Sequence, residues 1–159
     1  MNVEYVNRLK YAEKHSYLAK VRSLGIDSCP YSIGKTEWVD GHIFNMKMWP
    51  PVTFPDVYGY LVDTPGYFTR EKLKAFKSLD AYNFVIFGWV KPLLVLKRDS
   101  ANRSSDVFSI IRGEVRPSQR VNEKPHKVWV AVQTDGTVVT GHCTCMAGYA
   151  DHCCFRHVT

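Results

Sequence analysis

The sequence has no apolar run long enough to span a bilayer: its best stretch, Tyr82 to Leu96, is broken by Lys91 and Pro92. No membrane partner is expected on that ground. The N-terminus lacks the charged, then apolar, then small-residue order of a secretory signal. An intracellular protein with reduced thiols is therefore expected, the nucleus being one compartment open to it. There is no internal repeat and no low-complexity tract, so neither a solenoid nor a flexible linker accounts for the 159 residues. One domain, with or without a poorly autonomous extension, is the expected organisation. Acids are scarce beside bases: 15 Asp and Glu against 21 Lys and Arg, for a net charge of +6. That balance suits an anionic partner such as DNA or RNA, and it equally suits a solvated basic surface. Cysteine is nearly absent before the tail, with Cys29 alone and then four cysteines crowded between Cys143 and Cys154.

The spacing of Val6, Leu9, Leu18, Val21 and Leu24 predicts an amphipathic helix over 3–24, stopped by Gly25. Prolines and glycines punctuate 26–56, which reads as loop. Its interleaved Trp38, Phe44, Met46, Met48, Trp49 and Phe54 predict a segment that wraps and packs against its neighbours. Val57 to Val62 reads as a short strand or one turn of helix. Thr69 is a good N-cap for a second, basic amphipathic helix over 70–83. After Phe87 the pattern changes. Trp89–Lys97, Asp106–Val115, Lys127–Gln133 and Thr137–Cys143 read as strands, with a polar loop over 99–106. Thr134-Asp135-Gly136 between the last two is a strong hairpin signal. The expected class is α+β. A helical and loop region spans 1–87, and a small antiparallel sheet with a zinc-binding tail spans 88–159.

The tail brings together soft metal ligands. Zinc takes about four thiolate or imidazole donors in a tetrahedron. Cys143 and Cys145, separated by one residue at the end of a strand, can both turn toward one ion. Gly148 helps the chain reverse. One of Cys153 or Cys154, with His157, then returns to close a Cys3His site. A site with no open position is structural rather than catalytic. The buried, inert reading of these cysteines fits poorly with their density in a reduced compartment. Cys154 lies three residues before His157, about one helical turn, so both can face one ion. Cys153, four residues before it, shares that face. Cys143, Cys145, Cys154 and His157 are the expected ligands of one Zn2+, with His152 a further candidate. No second base or oxyanion feature accompanies a cysteine–histidine nucleophile.

At these residues the chain resembles the SWIM-type zinc finger, whose pattern is Cys-x-Cys, a spacer, then Cys-x-His. Cys143-Thr144-Cys145 matches the first half. The second half departs, since Phe155 stands where histidine would follow Cys153, and the available pairs are Cys154-x-x-His157 and Cys153-x-x-x-His157. The stretches FTREKLKAFKSLDAYNFVIFGWV, GEVRPSQRVNEKPHKVWVAV and GHCTCMAG extend the resemblance upstream, to about Val21. They are similar to the N-terminal region of animal SWIM-type domain-containing proteins, some of which carry a YqaJ-type viral recombinase nuclease domain further on. The resemblance implies a module that contacts nucleic acid or protein, together with a chain that continues into a hydrophobic helix beyond Thr159.

A nuclease core needs carboxylates and a lysine gathered on a sheet to hold magnesium. Asp56, Asp63, Glu71 and Asp80 are scattered without such a motif. No enzyme activity and no small-molecule substrate are expected. The expected function is zinc binding in an interaction module. The alternatives are a non-catalytic N-terminal piece of a larger nuclease protein, or a protein-interaction scaffold that has lost its metal. The cations between Lys91 and Lys127, Arg112, Arg116 and Arg120 above all, form the candidate nucleic-acid patch.

Overall fold

The strand read most clearly from the sequence lies deepest in the protein. The computed structural model describes residues 4–41, 49–60, 86–99, 107–117 and 122–145. Within β4 (His126–Gln133), Val128 through Val132 are all buried. Alternate side chains point to opposite faces of a strand, so both faces of β4 must be covered. It pairs antiparallel with β3 (Val107–Val115) on one side and β5 (Val138–Cys143) on the other. β3 pairs with β2 (Leu94–Asp99), and β2 with a two-residue β1 (Val39–Asp40) at the edge. The result is one five-stranded antiparallel sheet in the order β1-β2-β3-β4-β5. The protein is α+β.

The N-terminal helices cover one face. The expected single helix is divided into α1 (Glu4–Arg8) and α2 (Tyr11–Ser23). Lys10 takes an extended conformation between them, and its N–H donates to the Glu13 carboxylate at 3.0 Å. That bond caps the start of α2. Tyr17, Val21 and Leu24 recur at helical spacing and are buried. With Tyr31, Ile33 and Trp38 they pack against Leu96, Phe108, Ile110, Trp129 and Ala131. Gly25, at φ 67°, ends the helix in the left-handed region that favours glycine.

Trp49, Tyr60 and Leu93 cover the other face, over Val95, Ile111, Val130, Val132 and Val138. A short helix, α3 (Phe54–Tyr58), starts inside the stretch expected to be loop and reaches only the first two residues of the Val57–Val62 segment, whose last two lie outside the described residues. Trp38 is buried and Trp49 half-buried, as the wrapping segment requires, while Phe54 is exposed. The Asp-Gly hairpin forms as read, with Gly136 at φ 99°. A Cβ at Gly136 would collide with the Pro51 carbonyl oxygen, so the turn is also packed against the 51–56 segment. The helix expected over 70–83 and nearly all of the 99–106 loop lie outside the described residues.

Candidate metal centre and its surroundings

β5 ends at Cys143, opposite Val128 of β4. Pairing continues past the strand: Thr144 donates its N–H to the Lys127 carbonyl at 3.0 Å, and its Oγ1 accepts the Lys127 N–H at 2.9 Å. These two bonds hold Thr144 on the sheet and set the direction in which Cys145 leaves it. Cys145 is half-buried and packs against the cluster of Val115, Val128 and Cys143, with Val90 beside it. The Cys145 backbone N–H donates to Cys143 Sγ at 3.2 Å. The Cys-x-Cys pair thus forms a closed knuckle, with its second backbone amide aimed at its first sulfur.

Cys143 is disulfide-bonded, whereas Cys29 and Cys145 are in no disulfide. A sulfur in a disulfide is not a thiolate, so zinc ligation by Cys143 requires the reduced protein. Cys153, Cys154, His152 and His157 also lie outside the described residues. Among the described residues no group of three or more His, Cys, Asp or Glu is placed to hold a metal. The structure therefore places half of the expected ligand set. The two donors it places are sulfurs, the chemistry a structural zinc site uses.

Strand alternation puts His142 on the face opposite Cys143. Its Nε2 lies 2.6 Å from the Tyr5 hydroxyl. The Tyr17 ring centroid lies 4.5 Å from that of His142, and the Tyr31 centroid 6.1 Å away. The Tyr31 hydroxyl donates to the carbonyls of both Lys127 and His142, at 3.1 and 3.2 Å. Burial holds its phenol neutral, with a pKa well above the ordinary tyrosine value. The sequence reading missed this support. Tyr5, Tyr17 and Tyr31 are far from the cysteines in sequence, and no local spacing connects them to the tail.

The candidate nucleic-acid cations are dispersed. Arg112 lies on the helix-covered face, its guanidinium 4.2 Å above the Trp38 ring and donating to the Pro30 carbonyl at 3.3 Å. Desolvation lowers its pKa, opposed by the charge of nearby Glu114. Glu114 itself pairs with Lys91 at 2.9 Å. Arg116 is exposed, and its backbone N–H donates to the Trp89 carbonyl at 2.9 Å. Arg120 lies outside the described residues. Lys124 and Lys127, outside the expected trio, are exposed at the same end of the sheet.

No protein-family model matches the chain, and no curated protein or solved structure matches it.

Proposed function

We propose that the chain is a non-catalytic zinc-binding interaction module, its metal held by Cys143, Cys145, Cys154 and His157. The observation that carries this reading is the 3.2 Å hydrogen bond from the Cys145 amide to Cys143 Sγ. In the reduced protein, an N–H directed at this sulfur would stabilise thiolate over thiol, and zinc binds thiolate. Hydrogen bonds from backbone groups also orient metal ligands and tune their basicity. The sheet supplies the rigid base: β4 fixes Thr144, and Thr144 fixes the exit of Cys145. Zinc would cross-link this knuckle to the tail and give the tail a fixed shape for a macromolecular partner. The resemblance to SWIM-type fingers supports the same reading and allows either nucleic acid or protein as that partner.

The test is metal analysis of folded, reduced protein purified without chelator. One zinc per chain is expected, and Cys143→Ser should abolish it. Reduced and folded protein that carries no zinc would overturn the reading and leave a metal-free interaction scaffold.

A further inference from the structure

We propose that the end of the sheet carrying the Cys-x-Cys knuckle binds single-stranded nucleic acid, with Phe87 as a base-stacking platform and Arg116, Lys124 and Lys127 as phosphate contacts. This names the partner class and rests on the interaction-module reading, though it uses none of the expected metal ligands. Three strands and the approach to β2 meet at this end. Val90 bridges to Val115, Val115 pairs with His126, and Glu114 pairs with Lys127. Arg116 is tied to Trp89 through its backbone. Arg116 is thereby set beside Trp89, and Lys124 and Lys127 flank His126, the register partner of Val115, which bridges to Val90.

The charges there are available. Lys91 is spent on Glu114. Arg116, Lys124 and Lys127 are exposed, and among the described residues none forms an ion pair; Glu114, opposite Lys127 in the register, pairs with Lys91. Arg112, by contrast, is engaged within the fold by Trp38 and Pro30. In the segment that leads to Trp89, two large apolar side chains stand in the open, Ile86 at 61 % and Phe87 at 69 % exposure. Gly88, at φ 67°, turns the chain immediately after them, and Val90 then enters the packed cluster. An exposed aromatic ring beside unpaired cations is the chemistry of a single-strand site. Phosphates take the charges and an unstacked base takes the ring face. A duplex keeps its bases stacked and has none to offer Phe87.

The test is a titration of fluorescein-labelled dT15 and U15, and of a 15-base-pair DNA duplex, with the full chain across a salt series. Wild type is compared with Phe87→Ala, Phe87→Tyr and the triple variant Arg116→Ala/Lys124→Ala/Lys127→Ala. Zinc content is measured on every preparation. At least one single strand should bind more tightly than the duplex. Phe87→Ala should weaken single-strand binding about tenfold, and Phe87→Tyr should restore it because the ring is kept. The triple variant should reduce the slope of log affinity against log salt by about 2, as expected for three lost single-strand phosphate contacts. No binding at low salt, equal binding of the duplex, or indifference to Phe87→Ala would each overturn the proposal. Zinc-free protein whose binding still follows Phe87 and the triple variant would sink the metal reading alone, and zinc-loaded protein that binds no strand would sink this proposal alone.

Discussion

The Tyr31 hydroxyl donates to the His142 carbonyl at 3.2 Å and to the Lys127 carbonyl at 3.1 Å, so one phenol joins β4 to β5 beside Cys143. Tyr31→Phe removes that donor from both carbonyls, while the Lys127 carbonyl keeps the Thr144 N–H. The expected loss is about 1–2 kcal/mol of unfolding free energy, read from urea denaturation. The substitution should also change the alkaline limb of the stability profile. The folded-state pKa of Tyr31 is raised above the ordinary 10.0, chiefly by burial. Above that value the unfolded chain releases a proton that the folded chain retains. Stability linked to Tyr31 is therefore complete below about pH 10 and declines as pH rises beyond it. Tyr31→Phe should flatten this decline; an unchanged alkaline profile would count against the assignment.

Arg112 is expected to contribute to stability rather than to strand binding. Its stacking on Trp38 is worth about 0.5–2 kcal/mol in a partly desolvated setting. Arg112→Ala should lower the thermal midpoint. Arg112→Lys should recover only part of the loss, because an ammonium lacks the planar face and fork of a guanidinium. Neither should alter the affinity for dT15 or U15. A marked loss of affinity in folded Arg112→Lys would return this residue to the interface.

The strands were legible because their signals are local. The continuous, β-branched apolar run in Lys127–Gln133 and the Asp-Gly turn specify β4 and the hairpin over a few residues. Val39–Asp40 was read as loop, since a two-residue strand has no periodicity and exists only because β2 offers it an edge. The spacing of Val6 and Leu9 fits a continuous helix and carries no sign of the break between α1 and α2. The deciding contact is the Glu13 carboxylate on the Lys10 amide. Leu18 fits the helical spacing and is half-buried, while its neighbour Tyr17 is buried, with its hydroxyl 2.9 Å from Cys29 Sγ. The site was legible in composition and not in support. Clustered cysteines signal zinc, whereas Tyr31 and Thr144 act through backbone atoms that no motif records. The engagement of Arg112 depends on Trp38, far from it in the chain.

Gly136 combines two constraints that most turn glycines meet singly. Its φ of 99° disfavours any L side chain, and a Cβ there would meet the Pro51 carbonyl oxygen. Gly136→Ala should cost about 1–3 kcal/mol, read as a lower urea midpoint at unchanged slope. Gly59→Ala is the control, since a Cβ there meets nothing within 4 Å and its φ is −56°. Equal stabilities for the two variants would show that the hairpin does not bear on the 51–56 segment.

Zinc loading should depend on the redox state of Cys143. This sulfur is disulfide-bonded in the structure while Cys145 is in no disulfide, and a bonded sulfur offers no thiolate. Protein prepared in a phosphine reductant and dialysed against zinc should hold one ion per chain. Air-oxidised protein should hold much less and recover on reduction. Cys143→Ser and Cys145→Ser should both abolish loading. Cys154→Ser should abolish it where Cys153→Ser does not, and the reverse would move the third ligand to Cys153. Structural zinc sites gain about 10–16 kcal/mol of apparent binding energy, which includes the folding they drive. Chelation of the reduced protein should therefore lower amide-exchange protection around Thr144 and Cys145. The amides of α2 should keep theirs, because Tyr17, Val21 and Leu24 pack on the sheet independently of the knuckle. Protection at Thr144 and Cys145 that is indifferent to chelator, in protein shown to carry zinc, would place the metal elsewhere than on this knuckle.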